Sequence, residues 1–338
     1  MKKRAIIILS ISCFLIISII CILYFYNRPK KNEVKFTSCM NIGNALEAPK
    51  DIPWDVQIND KYFDDIKDAH FDAVRLPIRF SDYAKDSPKY ILDEEFMQKI
   101  DHYINYALKC DLKVIIDMHH FEEIMDDPYG YKECFLSMWK QISERYKDYP
   151  DELMFEILNE PRDNLNGDIW NTFLNDAIEI VREKNKNRII IAGPDNYYSA
   201  DRLNSLVLPK DDNNIIVSFH YYEPNEVTFQ GSENHEGFEN LKNIEWSGTY
   251  DEKREIRNKF YIAQEYGKQN NKKVFLGEFG VNKKAPEETR EKWVKEVREQ
   301  AEKSGFSWAY WELASEFGIY DKEDYSWNQQ MLDALLSN

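Results

Sequence analysis

Short apolar runs alternate with longer amphipathic stretches along most of the chain. The runs are rich in β-branched and other apolar residues and predict eight strands, at 39–43, 73–78, 113–118, 153–158, 188–192, 214–219, 273–276 and 306–311. Between them, apolar positions three or four residues apart predict helices at 94–109, 131–147, 169–184, 251–269 and 286–303. Continuously apolar strands are typical of a parallel sheet covered by helices. Eight strand–helix units therefore predict an α/β fold, a (β/α)8 TIM barrel forming one domain over residues 36–338.

The first 35 residues have a different pattern. Lys2, Lys3 and Arg4 precede an uncharged apolar segment, 5–26, that is long enough as a helix to cross a hydrocarbon core of about 30 Å. No small-residue cleavage site follows, because the next residues are bulky or charged. We therefore predict an uncleaved single-pass anchor in the cell membrane, with a cytoplasmic stub before it, a short linker after it and the barrel outside the cell. A cleaved signal peptide and a secreted enzyme remain the alternative.

Composition narrows the possible partners. The 43% hydrophobic and 14% aromatic residues exclude intrinsic disorder. The formal net charge is −16, and since residues 1–35 are basic, the rest of the chain is more acidic still. Such a body repels phosphate backbones, so we expect no nucleic-acid partner and favour a neutral substrate. The cysteines outside the apolar segment, Cys39, Cys110 and Cys134, show no C-x-x-C spacing, which argues against a disulfide framework or a zinc site.

Polar side chains follow the predicted strands at their carboxyl ends, where the active sites of (β/α)8 barrels lie. These candidate site residues are Asn44, Glu47, Arg75, His119, His120, Asn159, Glu160, His220, Tyr222, Glu278 and Trp311. Taken singly, each is explained as a helix cap, a surface charge or a packing residue. Because they coincide at seven strand ends, we predict one shared cavity.

Two carboxylates in this set suggest the chemistry. Glu160 follows the apolar run of the fourth strand and Glu278 that of the seventh, and these strands face each other across an eight-stranded barrel. Two carboxyl groups about 5–5.5 Å apart are what a retaining glycosidase needs, one as acid/base and one as nucleophile. The sequence therefore predicts a glycosidic bond lying between them.

The motifs resemble those of glycoside hydrolase family 5 over essentially all of residues 36–338. The resemblance rests on NIGNALEAP (41–49), VRLPIR (74–79), DMHH (117–120), FEILNEP (155–161), HYY (220–222), GEFG (277–280) and WAYWE (308–312). It implies retaining hydrolysis of β-1,4-linked glucan by an endoglucanase of the bacterial branch that also acts on mannans. It implies no cofactor and no metal ion, and we expect a monomeric catalytic domain.

The resemblance also implies roles for the candidate residues. Glu160 would be the acid/base, with a raised pKa, and Glu278 the nucleophile, kept ionised by Arg75. Asn159 would bond the sugar 2-hydroxyl, and Trp311 would stack on the sugar of the glycone side. The remaining candidates would orient the carboxylates or bond sugar hydroxyls: Asn44, Glu47, His119, His120, His220 and Tyr222.

One departure from the family pattern concerns the segment 230–237, which has Asn234 where close relatives have a tryptophan. We expect a weaker stacking surface on the leaving-group side, unless Trp246 replaces it. The preferred sugar stays open between glucan, mannan and xyloglucan. Two distant alternatives are a metal-dependent hydrolase using His119, His120, His220 and a glutamate, and a non-catalytic sugar-binding barrel.

Overall fold

Eight parallel strands close into a barrel in the computed structural model, which describes residues 34–85 and 88–337. The strands are β1 (Ser38–Asn41), β2 (Ala73–Ile78), β3 (Lys113–Met118), β4 (Leu153–Glu156), β5 (Ile190–Ala192), β6 (Ile215–His220), β7 (Lys273–Phe279) and β8 (Ser307–Tyr310). Each strand pairs with its neighbour in sequence, and β8 pairs with β1 to close the ring. The predicted (β/α)8 TIM barrel and all eight predicted strand positions are confirmed.

Helices cover the outside of the barrel, and short ones lie in the loops at the carboxyl ends of the strands. They are Asp60–Asp68, Glu94–Lys109, Glu122–Asp126, Pro128–Arg145, Gly167–Lys184, Asn225–Thr228, Tyr250–Asn270, Glu287–Lys303 and Gln329–Leu336. The five predicted helices are confirmed, with ends shifted by at most three residues. The crossover from β5 to β6 is irregular: it holds a turn at Asp195–Tyr198 and a 3-10 helix at Ala200–Ser205. A small hairpin, Tyr320–Asp321 with Ser326–Trp327, follows β8.

Capping residues explain where two long helices begin. The helix Pro128–Arg145 starts three residues before its predicted start because Asp127 accepts a hydrogen bond from Gly130 N and Pro128 suits the first helical position. At the helix Tyr250–Asn270, Thr249 and Glu252 form a capping box. Side chains thus satisfy backbone donors that the first turn leaves free.

The barrel interior is built in two layers. Its floor is apolar and consists of Phe36, Cys39, Ala73, Ile115, Met154, Ile189, Ile191, Ile216, Phe275 and Ala309. Side chains alternate between the two faces of a strand, so the residue two positions later also points inward. On five strands that next inward residue is polar and buried, giving Asn41, Arg75, Asp117, Glu156 and Ser218. A polar layer therefore lies directly on the apolar floor and supports the strand ends above it.

The predicted membrane anchor at 5–26 and the stub before it lie outside the described residues. Among residues 34–85 and 88–337, no helix has the length and apolar character that crossing a membrane requires. The anchor and the boundary between residues 35 and 36 therefore stay predictions.

Candidate active site

A cavity of about 1140 Å³ opens at the carboxyl ends of the strands. Most of the predicted site residues line it: Asn44, His119, His120, Asn159, Glu160, His220, Tyr222, Glu278 and Trp311. Arg75 lies beneath it in the polar layer and is fully buried. The barrel thus brings together side chains that are more than 260 residues apart in the sequence.

Arg75 is the centre of the polar layer. Its Nε donates to Glu156 Oε2 at 2.7 Å, and its Nη2 donates to Asp117 Oδ2 at 2.9 Å. Its Nη1 donates to Glu278 Oε1 at 2.8 Å. The guanidinium is fully buried and binds three carboxyl groups. Arginine suits this position because its guanidinium is planar, always charged and carries several donors. The predicted contact between Arg75 and Glu278 is confirmed.

The same guanidinium fixes the orientation of Asn159. Arg75 Nη2 donates to Asn159 Oδ1 at 2.8 Å, so the amide oxygen faces down and the NH2 group faces His119 Nε2, 3.3 Å away. The Nδ1 of His119 is hydrogen-bonded to Asp117 Oδ2. Burial holds the pKa of His119 well below its usual range, so the ring is neutral. Asn159 consequently presents an NH donor at the cavity, as its predicted contact with a sugar hydroxyl requires.

The two candidate catalytic carboxylates are held close together around His220. His220 Nδ1 lies 2.6 Å from Glu160 Oε1 and 3.7 Å from Glu278 Oε2. One oxygen of each carboxylate and one nitrogen of the ring all lie within 4.8 Å of one another. Tyr222 donates to the same oxygen of Glu278, Oε2, at 2.9 Å, while Arg75 binds Oε1. This spacing suits a retaining rather than an inverting mechanism, which needs about 6.5–9.5 Å.

The pKa values of the two glutamates are shifted in opposite directions. Burial is the largest single influence on Glu160 and raises its pKa, but the hydrogen bond from His220 and the nearby positive charges together outweigh it, so the pKa lies below its ordinary value. Burial raises the pKa of Glu278 above its ordinary value, although His220 and Arg75 oppose the shift. The expectation of a raised pKa for Glu160 is therefore wrong in this structure. To act as an acid, Glu160 has to be protonated, and His220 Nδ1 is hydrogen-bonded to its carboxyl group at 2.6 Å.

A local irregularity of β7 aims Glu278 into the cavity. The register between β7 and β8 shifts between Leu276 and Phe279, and bulges of this kind re-aim side chains near active sites. Gly277 is required here, because a Cβ at this position would lie 2.6 Å from Ser218 Oγ and 2.8 Å from His220 Nε2. The glycine thus leaves room for His220 beside Glu278.

The backbone is left-handed at three candidate residues. The φ angles of Asn44, His120 and Glu160 are 58°, 50° and 47°. Such values are uncommon for residues other than glycine and cluster at functional sites. The turn at His120 allows both adjacent histidines to line one cavity, although alternation along a strand would separate them.

Trp311 forms one wall of the cavity. Its indole ring stacks on His119 with ring centroids 5.7 Å apart and an interplanar angle of 8°. A Cβ on Gly43 would lie 2.8 Å from the indole, so only glycine lets the ring lie against the backbone there. The residue is partly exposed, which suits its predicted role as a sugar platform.

Glu47, like Arg75, does not line the cavity. Its carboxylate is fully buried and accepts hydrogen bonds from the backbone N–H groups of Asn44 and Ala45. Burial raises its pKa to about 7. The prediction of a direct sugar contact is therefore corrected: Glu47 holds the loop that presents Asn44. Trp246 is likewise buried and does not replace the missing tryptophan.

Sequence reasoning missed several residues of the site. In the polar layer these are Asn41, Asp117 and Glu156, and around the cavity they include Trp54, Arg162, Tyr197, His235 and Glu316. The signal for Glu156 was present, since it is a lone carboxylate inside the apolar run LMFEIL, two residues after an inward methionine. The cavity residues lie on loops, which carry no periodicity that would reveal them.

Within the described residues, one group of side chains has the spacing of metal ligands, and it consists of Glu160, His220 and Glu278. His119 and His120, which the metal-dependent alternative used, do not belong to it. The spacing of side chains therefore does not support His119 and His120 as metal ligands, as the metal-dependent alternative requires.

The chain matches the family model described as cellulase (glycosyl hydrolase family 5) over residues 33–316. The chain belongs to glycoside hydrolase family 5. This chain is similar to a crystal structure described as the Clostridial cellulose synthase subunit Z (CcsZ) from Clostridioides difficile, with 53% identity and a TM-score of 0.88. That alignment covers 90% of this chain and 100% of the other. Cel5A of Thermotoga maritima, solved with cellobiose, is 44% identical with a TM-score of 0.87, covering 89% and 97%.

Curated relatives are more distant. Endoglucanase H of Acetivibrio thermocellus is 29% identical over 306 residues, which is 88% of this chain but only 32% of the relative. Endoglucanase A of Ruminococcus albus is 28% identical over 88% of this chain and 89% of its own length. The chain thus spans about a third of the first relative and most of the second.

Proposed function

We propose that this family 5 glycoside hydrolase cleaves internal β-1,4 bonds of glucan chains with retention of configuration. The proposal rests on the distance between the two carboxylates in the cavity. One oxygen of Glu160, one oxygen of Glu278 and one ring nitrogen of His220 all lie within 4.8 Å of one another. Two carboxylates this close favour direct attack by one of them over attack by an intervening water. The names of the relatives support the endoglucanase activity.

In the proposed mechanism, Glu278 attacks the anomeric carbon while Glu160 gives a proton to the leaving oxygen. The leaving chain departs and a covalent glycosyl-enzyme forms through Glu278. Glu160, now ionised, takes a proton from water, which attacks the same carbon and releases the sugar with its original configuration. Arg75 and Tyr222 donate hydrogen bonds to Glu278, stabilise its charge before attack, and stabilise it again as the leaving carboxylate.

Glucan is the first candidate substrate, cellulose-type or mixed-linkage. The relatives named endoglucanases and the 44% identical structure with cellobiose support it. The same Thermotoga maritima enzyme was also solved with mannotriose, so glucomannan or mannan is the second candidate. Xyloglucan is the third. A neutral polysaccharide agrees with the formal net charge of −16.

We further infer a place for the reaction. The structure that is 53% identical is described as a subunit of a cellulose synthase, which supports a β-1,4-glucan made by the same cell as the substrate. The apolar segment 5–26 supports an enzyme anchored in the cell membrane with its barrel outside, where such a chain emerges.

The test is a reducing-sugar assay of the purified protein on carboxymethylcellulose, barley β-glucan, glucomannan, galactomannan and xyloglucan. A Glu160→Gln/Glu278→Gln double variant is the matched control. We expect activity on the first two or three polymers, a fast fall in viscosity that marks internal cleavage, and retained configuration in products followed by NMR. Binding to these polymers with no cleavage would instead favour the sugar-binding barrel.

A further inference from the structure

A cluster of polar side chains lies in the cavity wall where the loop after β6 meets the loop after β8. Ser232, which is fully buried, connects the two loops. Its Oγ lies 2.8 Å from Glu316 Oε2 and 2.8 Å from His235 Nδ1. The backbone N–H of Asn234 also points at this oxygen, at 3.3 Å. The mechanism above uses none of these residues.

The hydrogen bonds of Ser232 determine the tautomer of His235. A hydroxyl has one proton to donate, and a carboxylate can only accept, so that proton goes to Glu316. Ser232 Oγ must then accept from its other neighbours, which requires the proton of a neutral His235 ring to be on Nδ1. Burial lowers the pKa of His235 and favours the neutral form. The other nitrogen, Nε2, therefore carries a lone pair.

This lone pair is available to a ligand in the cavity. Within residues 34–85 and 88–337, His235 Nε2 has no hydrogen-bond partner, and it is not among the polar atoms that are buried without one. His235 lines the same cavity as Glu160 and Glu278. Its ring stacks on Phe229, with centroids 4.3 Å apart and an interplanar angle of 21°. Phe229 in turn packs on Tyr222, the residue that donates to the nucleophile.

We propose that His235 is a substrate-binding residue whose Nε2 accepts a hydrogen bond from a sugar hydroxyl, in a tautomer fixed by Ser232 and Glu316. The expected ligand is a neutral sugar, because a sugar hydroxyl can donate a hydrogen bond to the lone pair of a neutral imidazole nitrogen. The inference rests on the proposed function. His235 would then provide a polar contact in the cavity wall beside Asn234, the position where close relatives have a stacking tryptophan.

The first test compares kinetics of the full-length protein and a His235→Phe variant on cellotetraose and cellopentaose. Phenylalanine keeps the flat ring and its stacking on Phe229, and removes both ring nitrogens: the Nε2 acceptor and the Nδ1–H donor to Ser232. We expect KM to rise about two- to tenfold, the value of one neutral hydrogen bond, with kcat changed less than twofold. His102→Phe, on the outside of the barrel, is the matched control and should leave both constants unchanged.

The second test reads the tautomer directly. With 15N-labelled histidine, the six imidazoles of the chain give few enough resonances to assign His235 by its absence in His235→Phe. We expect the proton on Nδ1, and a shift of the Nε2 resonance when cellotetraose is added to the Glu160→Gln/Glu278→Gln variant. Glu316→Gln, whose amide can donate to Ser232, should move the proton toward Nε2.

The outcomes separate the inference from the function on which it rests. An unchanged KM in a folded His235→Phe variant, or a proton on Nε2 in the parent protein, overturns the role of His235 and leaves the hydrolase intact. A parent protein that cleaves no β-1,4-linked chain overturns the proposed function instead.

Discussion

Arg75 Nη1 donates a hydrogen bond to Glu278 Oε1 at 2.8 Å, from a guanidinium that has no exposed surface. The same guanidinium also binds Asp117 and Glu156, so the charge that stabilises Glu278, the proposed nucleophile, also holds the polar layer together. Stability and reactivity therefore depend on one side chain, and the two effects can be separated by substitution.

Replacing Arg75 with methionine leaves buried carboxylates without their partner, so we expect the free energy of unfolding to fall by about 3–5 kcal/mol. A second change, Glu156→Gln, removes one of these charges and should restore part of the stability while activity stays low. The measurement is urea denaturation alongside the reducing-sugar assay. Arg145→Met, which breaks ion pairs with Glu94 and Asp101 on the outside of the barrel, should cost about 1 kcal/mol or less. Equal losses in both variants would contradict the central role of Arg75.

Glu160→Gln and Glu278→Gln should each lower turnover by several orders of magnitude while the melting curve stays close to that of the parent. Azide distinguishes the roles on an activated aryl glycoside. We expect Glu278→Ala to give the inverted glycosyl azide and Glu160→Ala to give the retained one. Near-native activity in either folded glutamine variant would remove that residue from the reaction.

Tyr222→Phe removes the hydrogen bond to Glu278 Oε2 without changing the shape of the ring. Because that bond stabilises the ionised carboxylate, its loss raises the pKa of Glu278 further. Glu278 must be ionised to attack, so the acid limb of the kcat/KM profile should move to higher pH, by about one unit. The neighbouring Tyr221→Phe is the control, since its ring packs on Trp293 instead. An acid limb that stays in place would show that the tyrosine does not tune the nucleophile.

Activity should survive dialysis against EDTA, because the proposed double displacement needs only protein side chains. The measurement is turnover before dialysis, after dialysis and after adding back Zn²⁺, Mg²⁺ or Mn²⁺. Glu160, His220 and Glu278 have the spacing of metal ligands, so added Zn²⁺ should inhibit rather than activate. Activity that disappears with EDTA and returns with metal would revive the metal-dependent alternative.

The segment 5–26 should remain on the mature protein and anchor it in the cell membrane, since no small-residue cleavage site follows it. Fractionation of the native cells tests this: we expect an intact N-terminus in washed membranes, with the barrel open to externally added protease. Enzyme in the culture medium that starts near residue 30 would identify a cleaved signal peptide.

The sequence by itself determined the strands, the long helices and the two catalytic candidates. The eight apolar runs and the helical spacing of stretches such as Glu94–Lys109 are local patterns, and side-chain periodicity alone records them. Glu160 and Glu278 were visible because each lies near the carboxyl end of an apolar run that predicts a strand, where barrel enzymes place their chemistry. These features need no knowledge of which strands meet in space.

Only the tertiary structure decided what each polar residue does. Glu47 and Asn44 lie three positions apart on one loop, yet Glu47 is buried under it and Asn44 faces the cavity. His220, sixty residues away, lowers the pKa of Glu160, and Ser232 connects His235 to Glu316 from another loop. Hydrogen bonds, burial and charge act over a few ångströms of space, and closing the barrel sets those distances between residues that the chain keeps far apart.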